Sequence, residues 1–103
     1  MTAESQRAVP NLRRLVLDVD KAVRAPSLVE VAAAIQGCDG VEACNITVTE
    51  IDIETVGTNI TIEGVNLDYD AIVRAIETTG AVVHGLDQLI AGDRILENVP
   101  RAR

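Results

Sequence analysis

The chain has 103 residues, enough for one domain with one core, and 48% of it is apolar, yet it holds one Tyr and no Phe or Trp. Its net charge of −7 excludes a nonspecific phosphate-backbone binder, which needs clustered Lys and Arg to release counterions. No run approaches the roughly 18 apolar residues of a membrane span, and the opening residues lack the apolar stretch of a signal peptide, so the expected location is the cytoplasm, away from membranes.

Residues 1–11 read as a flexible leader. Leu12 to Asp20 alternates Leu15, Leu17 and Val19 against Val16, Asp18 and Asp20, the pattern of a half-buried strand. After the loop KAVRAP, Ser27 and Glu30 have the S-x-x-E spacing of a capping box, which starts a helix running to about Gln36. Val41 to Ile53 reads as a long strand. Cys44, Ile46 and Val48 share one phase in it and Ile51 and Ile53 the other, so a bulge is expected near Thr49 and Glu50. A turn over Glu54 to Gly57 leads to a partner strand, Thr58 to Val65, with Ile60 and Ile62 inward. Asp68 is the expected N-cap of a second helix ending at Gly80, and Ala81 to about Ile90 is the last strand. Residues 93–103 form an extension whose Ile95, Leu96 and Val99 are apolar enough to dock on a neighbouring subunit.

The two helices echo each other. Leu28, Val31, Ala32 and Ile35 have the i, i+3, i+4, i+7 spacing of one helical face, and Tyr69, Ile72, Val73 and Ile76 repeat it 41 residues later. Each helix lies between strands, so the chain reads as two copies of one βαβ unit. With right-handed crossovers the order β-α-β-β-α-β gives an α+β, ferredoxin-like four-stranded antiparallel sheet with both helices on one face. An open α+β meander is the alternative.

That architecture leaves one sheet face uncovered. It is expected to carry Asp18 and Asp20, then Asn45, Thr47 and Thr49, then Asn59, Thr61 and Glu63. RNA-binding domains of this topology stack bases on aromatic residues there, and this face has none, which argues against nucleic acid. Glu50, Asp52 and Glu54 recur every second residue and would share one side of an extended strand, with Asp18 or Asp20 on a neighbour. Hard cations such as Ca or Mg take several carboxylate oxygens, so Asp18, Glu50, Asp52 and Glu54 are the candidate metal ligands, against the plainer reading of solvated surface charge. An EF-hand loop is absent.

His84, the single histidine, has Asp87 nearby in sequence; with Asn45 these are candidate ligand or interface residues, although a lone strand histidine more often has a structural role. Cys38 and Cys44 lack the C-x-x-C spacing of redox and metal-transfer motifs and read as a loop residue and a small buried strand residue. Arg13, Arg14 and Arg24 are too few for a phosphate groove, although one could pair with a strand carboxylate. The two Asn-Ile-Thr sequons read as strand residues. Among nine basic residues only Lys21 is a lysine, and the 16 carboxylates are spread along the chain. Such a balance suits a high-salt cytoplasm, where a Debye length of about 3 Å near molar salt screens self-repulsion.

The segments LVLDV (15–19), NITVTEIDIET (45–55), ITIEG (60–64) and AIETTGAVVHGLDQLIAG (75–92) resemble the archaeal domain-of-unknown-function family 211 over residues 12–97. The resemblance implies a ferredoxin-like fold and homo-oligomers, in the form of rings, for a haloarchaeal member. It implies no activity for Asp18, Asn45, Glu50, Asp52, Glu63, His84 or Asp87. The alanine-rich first helix and the terminal PRAR depart from the family pattern.

The resulting expectation is a non-catalytic cytoplasmic homo-oligomer that binds a small ligand or a divalent cation near subunit interfaces. Two alternatives share the topology. An amino-acid-binding regulatory module forms its sites between subunits with no fixed residue code. An acylphosphatase-like hydrolase would use Arg24 and Asn45, but the KAVRAP loop lacks the glycine that turns N–H groups onto a phosphate.

Overall fold

A computed structural model describes residues 9–98. The elements are β1 (Leu12–Ala22), α1 (Leu28–Gln36), β2 (Val41–Ile51), β3 (Thr55–Gly64), α2 (Tyr69–Thr78) and β4 (Val82–Ala91). The strands form one antiparallel sheet in the order β2-β3-β1-β4. This is the ferredoxin-like plan, with β2 and β4 as edge strands. The first eight residues of the expected leader, and Val99 with the terminal PRAR, lie outside the described residues.

Both helices start where their side chains satisfy otherwise unpaired N–H groups. Ser27 Oγ accepts from Glu30 N at 3.1 Å while Glu30 Oε1 accepts from Ser27 N at 2.8 Å, a complete capping box. Asp68 Oδ1 accepts from Ala71 N at 3.1 Å. The fully buried helix residues are Val31 and Ile35 in α1 and Ile72 and Ile76 in α2, the inner positions of the repeated stripe. They meet Leu15, Leu17 and Val19 of β1 and Ile60 and Ile62 of β3, all nearly inaccessible to solvent. Burying each such side chain contributes about 1.5–3 kcal/mol.

Gly64 and Gly40 let the turn before β2 cross the end of β3. Gly40 has φ +84°, and its carbonyl accepts from Val65 N at 3.0 Å. A Cβ on Gly64 would run into the Gly40 carbonyl oxygen, so the approach is backbone to backbone.

The β2–β3 hairpin departs from the expected bounds. β2 stops at Ile51 and β3 starts at Thr55, so Gly57 belongs to a strand and the turn is residues 52–54. Thr55 to Gly57 are held in the sheet from both sides, opposite Ala22, Lys21 and Asp20 in β1 and, for Val56 and Gly57, opposite Ile51 and Glu50 in β2. A Cβ on Gly57 would meet Asp20, Glu50 and Thr49 only at ordinary contact distance, so its place in the strand follows from pairing on both sides and not from a need for glycine. The expected bulge is present: the register shifts between Val48, opposite Thr58, and Glu50, opposite Gly57. Thr49 is the extra residue, and it puts Val48 and Ile51 on the same helix-facing side.

Candidate functional site

The uncovered face carries the residues that alternation assigns to it. Asp18 and Asp20 stand opposite Asn59 and Gly57, and Asn45 and Thr47 stand opposite Thr61 and Asn59. Thr47 Oγ1 donates to Asn45 Oδ1 at 2.9 Å. Period-two alternation keeps Leu15, Leu17, Val19, Ile60 and Ile62 on the helix side and leaves Val16 as an apolar residue that β1 adds to this face, with Ile90 and Val82 of β4 opposite Arg14 and Asp20.

Asp20 is the centre of the acidic end. Its Oδ2 lies 2.9 Å from His84 Nε2, and its Oδ1 sits over Gly57 toward the Glu50 side. An irregularity in β4, between the Asp18–Gly85 and Val19–Val83 pairs, inserts His84 as an unopposed residue and turns its ring to Asp20. Two open depressions meet at Asp20. One, of about 200 Å³, is lined by Asp20, Glu50, Asp52, Thr55 and Gly57. The other, of about 440 Å³, includes Asp20, Lys21, Glu54, Gly80, Val82 and His84.

The four candidate metal ligands are therefore divided. Glu50 and Asp52 line the smaller depression, Glu54 lines the larger, and Asp18 stands exposed between Asn59 and Gly85 outside both. Among the described residues no three His, Cys, Asp or Glu side chains come close enough to hold a metal ion. The period-two alignment of Glu50, Asp52 and Glu54 ends because the strand ends. Asp52 N donates to Thr55 O at 2.8 Å and Val23 N to Glu54 O at 3.1 Å, which folds the hairpin tip toward β1.

The other candidates also separate. Asp87 lies along β4 in a different depression, with Gln88, Leu89, Ile90, Leu96 and Asn98, so the histidine's carboxylate partner is Asp20. Asn45 lines a further depression of about 420 Å³ with Ala43, Cys44, Thr61 and Glu63. Cys38 and Cys44 are free thiols, both half-buried; burial pushes both pKa values up, and Asp39 and Asp68 add to the effect at Cys38. Neither environment favours a thiolate nucleophile.

Two basic residues hold positions that the sequence does not reveal. Lys21 is 9% exposed on the helix side of β1, with Nζ 2.8 Å from Ala22 O and 3.3 Å from Val23 O. Arg14, at the opposite end of β1 from Asp20, places Nε 2.7 Å from Glu63 Oε2 and its two terminal nitrogens 2.9 Å each from the two oxygens of Glu97. These carboxylates raise the Arg14 pKa further, and the Arg14 hydrogen bonds hold Glu97 below the usual carboxylate range. The contact to Glu97 brings residues 93–98 back against the chain's own sheet. Arg13 secures the start of that return, with Nη1 2.7 Å from Asp93 O.

Comparison with known proteins adds no chemistry to this arrangement. Residues 13–103 match the profile of the DUF211 family, described as "Uncharacterized ArCR". The chain is also 41% identical over 88 residues to a Methanocaldococcus jannaschii protein named "Uncharacterized protein MJ0319", across 85% of this chain and 90% of that relative.

Proposed function

Because this chain belongs to the DUF211 family, whose description carries no activity, we propose from its surface that it is a non-catalytic homo-oligomer of a high-salt cytoplasm, binding a small ligand or a divalent cation near subunit contacts. The observation that supports the assembly is the state of the two edge strands. β2 and β4 are 11 and 10 residues long, each pairs on one side within the described sheet, and neither contains a lysine. Natural proteins blunt such edges with lysine, proline, bulges or short length, because unpaired N–H and C=O groups recruit another chain, and the bulge at Thr49 and the irregularity at His84 interrupt these edges only locally. Here the edges instead expose apolar side chains: Ile51 at 73% and Val48 at 39% on β2, and Leu86 at 38% and Leu89 at 47% on β4. All four sit on the helix-facing side, beyond the reach of helices that are only 9 and 10 residues long.

The ligand part of the reading rests on position. Both depressions at Asp20 adjoin this edge surface, since one includes Val82 of β4 and the other runs along the end of β2. Among the described residues one chain gathers too few carboxylates for a hard cation, so the remaining oxygens come from a second subunit or from water. Light scattering after size exclusion in concentrated KCl tests the assembly: a defined oligomer that dissociates in Ile51→Asp or Leu89→Asp is expected, and a monomer at every concentration overturns it. Calorimetric titration with Ca²⁺ and Mg²⁺ in the same buffer tests the cation, and the absence of heat from either removes it.

A further inference from the structure

A separate observation lies at the other end of β1 and needs no second subunit. Lys21 lies on the helix side and Arg13 falls in the register shift between Leu12 and Arg14, so Arg14 is the one Arg or Lys that regular alternation places on the uncovered face, opposite Glu63. In a chain of net charge −7 that cation is already engaged. Both terminal nitrogens face a carboxylate in a two-pronged pair, the planar arrangement that makes arginine a carboxylate reader.

The occupant of that fork is a tethered group. Glu97 follows Gly92 by five residues without helix or strand, and its own side chain is 66% exposed. Exposed ion pairs hold weakly. A short tether supplies an effective concentration on the order of millimolar, so a free carboxylate at comparable concentration can compete. Space for the rest of such a molecule lies beside the fork. Glu63, whose Oε2 lies 2.7 Å from Arg14 Nε and 2.6 Å from Nη2, also forms a wall of the 420 Å³ depression with Asn45 and Thr61. A carboxylate on Arg14 thus has the Glu63 carboxylate next to it, with the Asn45 amide and the Thr61 hydroxyl farther along the same depression, a setting for an ammonium group and unfavourable for a second carboxylate.

We infer that Arg14 is the anchor of a binding site for a small amino carboxylate, with the ligand carboxylate on its terminal nitrogens and the ammonium toward Glu63, and that Glu97 is a built-in competitor which the ligand displaces. Displacement frees the residues beyond Asp93, which Arg13 still holds, and uncovers Ile90, 6% exposed, which with Leu96 lines the depression beside the returning tail. The site lies within one chain, so assembly can fail while this site stands, and the reverse.

The test is a titration of the full chain with L-alanine, followed by the Nε–H resonance of Arg14 and the amides of residues 93–98. Glu97→Gln is expected to bind roughly ten-fold more tightly than the unaltered chain, because the tethered competitor is gone. Adding Arg14→Lys to Glu97→Gln keeps the charge, loses the fork, and is expected to lose roughly ten-fold or more. Acetate is expected to bind more weakly than alanine if Glu63 receives the ammonium. Equal affinity in the unaltered chain and Glu97→Gln overturns the competition. No saturable shift in Glu97→Gln, or a shift indifferent to Arg14→Lys, overturns the site; the exposed Glu97 position makes the first comparison independent of whether the double variant folds.

Discussion

His84 Nε2 and Asp20 Oδ2 lie 2.9 Å apart although 64 residues separate them, and both remain partly open to solvent, with side chains 52% and 36% exposed. An ion pair or hydrogen bond in that setting contributes little to stability. His84→Ala is expected to change the free energy of unfolding by less than about 1 kcal/mol in urea titration. A larger loss would show that the ring is held in a desolvated contact.

The Arg14–Glu97 contact has a definite pH direction. The Glu97 pKa is lowered in the folded chain by Arg14, so its contribution is present above the ordinary glutamate pKa of about 4.3 and is lost as pH falls through the lowered folded value. The backbone of residues 93–98 is therefore expected to loosen in acid, read as a fall in ¹⁵N relaxation order parameters, while β1 and β3 still hold their order. In Glu97→Gln the low order of residues 93–98 should already be present at neutral pH.

Gly64→Ala should be among the most damaging single changes, because the added methyl meets the Gly40 carbonyl, a backbone atom that cannot swing away. A loss of about 3 kcal/mol or more is expected from chemical denaturation, in the range for overpacking at a fixed backbone contact. Gly85→Ala is the control, since nothing lies within 4 Å of its added Cβ.

Ser27→Ala removes the hydroxyl that accepts from Glu30 N and leaves the return bond from Glu30 to Ser27 N unreciprocated. The expected cost is about 1 kcal/mol, read from the urea midpoint. Ser27→Asp should restore most of it, because a carboxylate also accepts at the N-cap and suits the positive end of the helix.

Local patterns carried most of the fold. The stripe repeated at an interval of 41 residues names the four buried helix positions, and the change of phase between Val48 and Ile51 locates the bulge at Thr49. Both are short-range consequences of the 3.6 and 2.0 residue periods, so they are legible without knowing what lies across the sheet. The hairpin turn was misplaced by the same logic. Gly57 looks like a turn residue until β1 and β2 are seen to pair on either side of it.

The candidate site was legible only as a list of polar residues on one face. Glu50, Asp52 and Glu54 share a periodicity, with Asp18 expected on a neighbouring strand, but a turn at residues 52–54 sends Glu54 to one side of Asp20 and leaves Asp52 on the other. Sequence proximity likewise suggested Asp87 for His84, whereas the irregularity in β4 selects Asp20.

The sequence by itself determined the element order, the helix caps, the buried faces and the existence of a polar, aromatic-free sheet surface, because each follows from spacing within a few residues. Only the tertiary structure decided that Asp20 meets His84, that Arg14 grips both Glu63 and Glu97, and that Ile51 and Leu89 stay uncovered on opposite edges. These pairings depend on strand order, register shifts and the short reach of the helices, which place residues 49 to 83 positions apart side by side and leave no trace in local periodicity.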